Sequence, residues 1–239
     1  MARRHLARVV QKPVTQVTMP SINPDQTSKS AARKPRLLWA NVHCLLDTSS
    51  ASALAALAML HRLSQGGYDV YVLGAMVFDH EQGTAGLGEQ WAGLQARTDV
   101  LVSLHDGVLE HKLLVTASTW RDRMTSQEEG AWFSLYQQAF AMCKPDVVVY
   151  NGDCAFDRLI PVEAKVRGTP VAYFMVNGDH RAKLMCRDVD LILTDTQTKT
   201  DTDLLQALQP LVALQAGDND TESAVRQWHR HGLDDRPKQ

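Results

Sequence analysis

A doubly wound α/β domain, Rossmann-like, with one mainly parallel sheet and flanking helices, is the fold class this sequence predicts. Three observations carry the prediction. Short runs of Val, Ile, Leu and aromatic residues recur along residues 36–194. Longer stretches with apolar residues at helical spacing separate them. Glycine or proline marks most of the changeovers. Strands buried on both faces read as continuous apolar runs, and parallel strands need helical crossovers that cover them.

The elements follow in order. Arg36-Leu-Leu-Trp-Ala-Asn-Val42 is a short buried strand, and His43 to Ser50 is a polar loop with several candidate N-caps. Ala51 to Gln65 is rich in Ala and Leu, with Leu54, Leu57, Ala58, Leu60 and Leu63 on a helical period; Gly66-Gly67 stops it. Asp69 to Gly74 is a second strand, Thr98 to Leu104 a third, and Lys112 to Thr116 a shorter one. Ser126 to Cys143 is a helix with Glu128 and Glu129 in its first turn, where acids oppose the helix dipole favourably. Asp146 to Tyr150 is a strand, Ala155 to Arg167 a helix closed by Gly168, and Pro170 to Val176 and Asp190 to Thr194 two more strands. A last helix is expected over Thr200 to Leu208.

Composition excludes several function classes. The chain has 239 residues, 44% hydrophobic and 22% charged, with a net charge of −2. No apolar run reaches the roughly 18 residues that span a bilayer. The near-neutral balance leaves no basic excess for nucleic acid, so no nucleic-acid partner is expected. Cys44, Cys143, Cys154 and Cys186 are too sparse for a disulfide scaffold and form no Cys-x-x-Cys pair. They read as thiols in a reducing, cytoplasmic setting.

The charge is uneven. Residues 1–38 hold eight basic residues and one acid, a net +7, and the remainder carries 17 basic and 26 acidic residues, a net −9. Residues 1–34 are therefore read as a disordered basic tail, which allows weak contact with an anionic membrane surface. The α/β domain is assigned to 35–215, and 216–239 to a polar extension with room for one short helix.

In an open parallel sheet, ligands bind beyond the carboxyl ends of the strands, where the strand order reverses. That rule selects four loops: 43–50, 105–111, 151–154 and 177–181. Their candidate residues are His43, Ser49 and Ser50; His105 and Asp106; Asn151 and Asp153; and Asn177, Asp179 and His180. No Gly-x-Gly-x-x-Gly follows the first strand, and no Gly-x-x-x-x-Gly-Lys-Ser/Thr or Gly-x-Ser-x-Gly occurs. Dinucleotide, P-loop and α/β-hydrolase chemistry are set aside on those grounds. His105-Asp106 with His111 are read as solvated or hydrogen-bonded side chains, and no resident metal or other cofactor is expected.

Three stretches carry a family resemblance. The first is Leu37-Leu-Trp-Ala-Asn-Val42 with its polar loop, then Ala53 through Gly66-Gly-Tyr-Asp-Val-Tyr-Val-Leu73. The second is Lys144-Pro-Asp-Val-Val-Val-Tyr150, followed by a helix and Arg167-Gly-Thr-Pro-Val-Ala-Tyr-Phe174. The third is Val189-Asp-Leu-Ile-Leu-Thr-Asp-Thr196. Together, over about 36–208, they resemble the N-terminal domain of a GT-B glycosyltransferase of the retaining "glycosyltransferase 4-like" family.

The resemblance implies an acceptor-binding half that meets a carbohydrate or glycolipid. The nucleotide sugar, as co-substrate, would be held by a C-terminal glycosyltransferase domain or a partner subunit. It implies that Ser49, Ser50, Asn177 and Asp179 face the donor and its diphosphate, with His180 as the catalytic candidate. His43, His105, Asn151 and Asp153 would meet the acceptor. Two departures stand out: Leu46-Asp-Thr-Ser-Ser50 lacks the glycine pair usual in that loop, and the residues after Leu208 are too few for a second Rossmann domain. The chain is thus expected to be glycosyltransferase-like but incomplete on its own. Two other readings stand beside it: a non-catalytic Rossmann-like module for a glycan or protein partner, and an unrelated small enzyme using Asp106, Asp153 and His180.

Overall fold

Buried apolar strands and amphipathic helices assemble as their patterns require. The structure, a computed structural model, describes residues 33–88, 90–95, 101–117, 119, 124–152, 156–176, 188–196 and 198–215. The expected tail over 1–32 and the extension over 216–239 lie outside the described residues. The elements run β1 (Arg36–Ala40), α1 (Ala51–Gln65), β2 (Asp69–Ala75), a 3₁₀ segment (Glu81–Leu87), α2 (Gln90–Gln95), β3 (Leu101–Asp106) and β4 (Leu109–Leu114). They continue with α3 (Ser126–Cys143), β5 (Val147–Tyr150), α4 (Leu159–Val166), β6 (Val171–Met175), β7 (Leu191–Thr194) and α5 (Asp201–Gln215).

The seven strands form one sheet in the order β3-β4-β2-β1-β5-β6-β7. Every neighbouring pair is parallel except β3 with β4. Helices cover both faces. On one, Ala56, Met59, Leu60 and Leu63 of α1 and Leu204, Leu208 and Leu211 of α5 pack on Leu37, Trp39 and Val72. On the other, Trp132, Tyr136 and Phe140 of α3 and Ile160 and Ala164 of α4 pack on Leu38, Val148 and Tyr173. The expected fold class is therefore the observed one.

Local chemistry sets the boundaries. Ser50 caps α1 by accepting from the Ala53 N–H, and Gly66 closes it. Thr125 and Glu128 form a capping box at α3, each side chain satisfying a backbone N–H of the other. α5 runs past the expected stop at Leu208 and through Pro210, because Leu204, Leu208 and Leu211 bury one continuous stripe against the domain. The 3₁₀ segment and α2 were not expected; Leu87 and Leu94 anchor them on Met76, Phe78 and Val102.

The third strand departs from the expectation in a way that matters for function. β3 and β4 are a hairpin with Asp106 opposite Leu109 and only Gly107-Val108 between them. Gly107 takes φ +57°, the left-handed conformation such tight turns require. Since β4 runs parallel to β2, β3 runs against the rest of the sheet, and its carboxyl end lies at the opposite edge from the other strand ends.

Candidate functional site

The chain leaves β1 for β2 on one side of the sheet and returns to β5 on the other, so the strand order reverses between β1 and β5. A crevice beyond the carboxyl ends of these two strands is the expected ligand position. Three loops build it: 41–50 after β1, 76–83 after β2, and 151–152 after β5.

Asp47 organises the first loop. It is fully buried, and its carboxylate accepts four hydrogen bonds. His43 Nε2 donates to Oδ2 at 2.8 Å, and the Asp79 N–H donates to the same oxygen at 2.7 Å. The Ser49 N–H at 2.8 Å and Ser49 Oγ at 2.5 Å donate to Oδ1. Burial alone would raise its pKa, but the bonds from His43, Ser49 and the two backbone N–H groups outweigh it. The group is held well below the usual carboxylate range.

The carboxylate fixes the imidazole in turn. With Nε2–H directed at Asp47, Nδ1 is the ring nitrogen that can accept in that tautomer. An isolated parallel bridge between His43 and Val77 extends the β1–β2 pairing and brings Asp79 beside the ring, its Oδ1 3.6 Å from Nε2. One donor atom from each of His43, Asp47 and Asp79 lies within 4.8 Å of the other two. Gly83 closes the loop from the other side: a Cβ there would stand 2.1 Å from Asp47 Oδ1.

A second buried carboxylate, Asp157, joins the β1 and β5 ends. Its Oδ1 accepts from the Val42 N–H at 3.4 Å. Gly152 has φ +147°, and a Cβ on it would lie 2.2 Å from Asp157 Oδ2 and 3.1 Å from Asn41 Oδ1. Asn41 Oδ1 also accepts from the His43 N–H. The Asp157 carboxylate and the Asn41 amide thus pack against the Gly152 backbone as closely as glycine permits.

The structure sorts the expected site residues. His43 lies in the loop that leaves β1 at the strand-order reversal, 5% exposed. Ser50 is the α1 N-cap, and Ser49 is spent on Asp47, so both hydroxyls support the loop. Asn151 Nδ2 donates to Ser52 Oγ at 2.8 Å and to the Phe174 carbonyl at 2.9 Å, tying β5 to α1 and β6. Placement of His105 on this rim is corrected: it is exposed on the antiparallel β3, at the far end of the sheet. Asp106 also lies there, accepting from His61 Nε2 at 2.7 Å. Asp153, Asn177, Asp179 and His180 lie outside the described residues.

Asp47, Asp79, Asn41 and Asp157 were not foreseen as site residues. For Asp47 a signal existed: an Asp two residues before a Ser is a common Asx-turn, and His43 stands four residues earlier. Of the cysteines, Cys44 and Cys143 are buried free thiols, each pushed up to about 12 by burial. Among the described residues no helix is long and apolar enough to cross a membrane.

No protein-family model matches the sequence, and no curated protein matches it. Among solved structures, a UDP-N-acetylglucosamine 2-epimerase aligns with 73% of this chain and 45% of its own, at 14% identity and TM-score 0.40. The corresponding epimerase of Rickettsia bellii aligns over 72% of this chain and 41% of its own, at 15% identity and TM-score 0.40. That of Methanocaldococcus jannaschii aligns over 73% and 42%, at 12% identity and TM-score 0.36. The chain spans less than half the length of each.

Proposed function

We propose that this domain binds a sugar hydroxyl or glycosyl acceptor at the β1–β5 crevice, as the acceptor half of a GT-B-type glycosyltransferase. Transfer would use a nucleotide-sugar donor held by a second α/β domain or subunit. The observation that carries the reading is the Asp47–His43 pair at the strand-order reversal. A buried ionised carboxylate holds the imidazole in the tautomer whose Nδ1 accepts a proton or a hydroxyl hydrogen bond. Asp79 beside it supplies a second acceptor for a polyol. UDP-N-acetylglucosamine 2-epimerases, the structures reported above, are named for a nucleotide sugar, and this class of ligand is the first to test.

The experiment is a titration of the full chain, followed by NMR, with a nucleotide sugar and with a panel of glycans. Shifts centred on residues 41–50 and 76–83, lost in His43→Gln, are expected. The chain alone is expected to show no glycosyl transfer; turnover without a second subunit removes the division of labour. Absence of binding to every sugar tried removes the carbohydrate reading.

One observation favours a second reading, a non-catalytic binding module. Ser49, Ser50 and Asn151 are consumed by internal hydrogen bonds, and no glycine in 46–50 lets a diphosphate approach the backbone. Glycan binding that survives, with no transfer even after a second domain is supplied, selects it.

A further inference from the structure

We propose that His43, Asp47 and Asp79 form a binding site for a first-row divalent transition-metal ion at the mouth of the β1–β5 crevice. The donor set is one imidazole nitrogen and two carboxylate oxygens, a combination suited to ions such as Mn²⁺ and Zn²⁺. Metal–ligand bonds of about 2.1 Å place neighbouring ligand atoms roughly 3.0–3.4 Å apart. Here His43 Nε2 is 2.8 Å from Asp47 Oδ2 and 3.6 Å from Asp79 Oδ1. The Asp47 and Asp79 ligand atoms also lie within 4.8 Å of each other, so the three donors converge on one point.

A second feature points the same way. Asp47 is wholly buried, yet its bonds come from the His43 ring, the Ser49 hydroxyl and two backbone N–H groups. No Lys or Arg among the described residues forms an ion pair with it. A buried carboxylate with no described Lys or Arg paired to it and a second carboxylate alongside is an environment that favours a cation.

The triad is also held in place before any ion arrives. The His43–Val77 bridge fixes the ring against the chain that carries Asp79, and the Asp79 N–H is itself bonded to Asp47. Binding leaves the protons balanced. The proton on Nε2 moves to Nδ1, Nε2 takes the metal, and Asp47 exchanges one imidazole hydrogen bond for a metal bond while keeping those from Ser49 and Asp79. Asp79, 36% exposed, marks the side where solvent or an oxygen ligand completes the coordination. The inference goes beyond the carbohydrate reading: with an ion on Nε2 the proton sits on Nδ1, which then donates to a ligand instead of accepting from one.

The test uses the full chain, stripped with a chelator and titrated with Mn²⁺ and, separately, Zn²⁺. One equivalent should bind, and Mn²⁺ should broaden the NMR signals of residues 41–50 and 76–83 first. Asp79→Asn removes one ligand while leaving the backbone bond to Asp47 intact, and should weaken binding at least tenfold in a chain that keeps the wild-type NMR dispersion. His43→Gln should weaken binding likewise, and should also lower stability because the buried Asp47 carboxylate loses its imidazole partner. No binding at millimolar ion overturns the proposal, as does broadening centred on His61 and Asp106, or unaltered affinity in both variants. Sugar titrations repeated with chelator present separate this result from that of the proposed function.

Discussion

His111 offers the sharpest test of how this fold handles a buried titratable group. It sits in β4 opposite Val72 of β2 and Leu104 of β3, fully buried, with neither ring nitrogen hydrogen-bonded among the described residues. Burial lowers its pKa from 6.5 to about 4; Asp106 pulls it upward, while His61 and His105 push it further down. The native state therefore keeps His111 neutral in a range where the unfolded chain takes up a proton. Its contribution to stability is present above pH 6.5 and is lost as the pH falls through that value toward about 4.

The size follows from the same two values. At 1.36 kcal/mol for each pKa unit, complete loss amounts to about 3 kcal/mol, of which about 1.8 kcal/mol falls between pH 7 and pH 5. His111→Leu places an apolar side chain between Leu109 and Leu113, which point to the same face. Urea unfolding at pH 7, 6 and 5 should show the wild-type chain losing stability faster than the variant. The variant should gain by about 1.8 kcal/mol relative to wild type over that span. Equal slopes, or an NMR titration placing His111 near 6.5, would refute the reasoning.

Other consequences can be checked together. Gly152→Ala forces a Cβ to 2.2 Å from Asp157 at φ +147°, and should cost about 2 kcal/mol or more in denaturant unfolding. Asp47→Asn removes charge-assisted bonds and should lower stability at pH 7 by about 2–3 kcal/mol; because the native carboxylate is depressed, that deficit should shrink as the pH drops into the acid range. Thr125→Ala removes half of the α3 capping box and should cost about 1 kcal/mol, seen as a lowered melting temperature. Leu60→Ala, at a site with no exposure, should cost about 2–5 kcal/mol by the same measurement.

Much of the fold was legible because its determinants are local. The α3 boundaries follow from Ser126 with Glu128 and Glu129 in the first turn and from Lys144-Pro145, and the structure adds Thr125 as the cap. The central strands follow from apolar runs such as Val147–Tyr150, buried at every position. The direction of β3 was missed although Asp106-Gly107 is a hairpin dipeptide, because the runs on either side were read as separate crossover strands. That single misreading moved His105 to the wrong end of the sheet. The crevice itself was reachable from the strand-order rule. Its chemistry was less so: Asp79 meets His43 through a bridge between chain segments 34 residues apart, which no local pattern records.

The central position of β1 has a consequence for how the chain reaches this state. Leu37 pairs with Val70 on one side and with Val147 on the other, partners 33 and 110 residues downstream. The β1–β4 portion can assemble early from short-range pairings, whereas docking of β5 must close a loop more than three times longer. Until it does, the innermost strand of the finished sheet presents a bare, apolar ladder to any neighbour. A chain cut between β4 and β5 should therefore polymerise rather than persist as a smaller domain, and synthesis on the ribosome passes through that same vulnerable length.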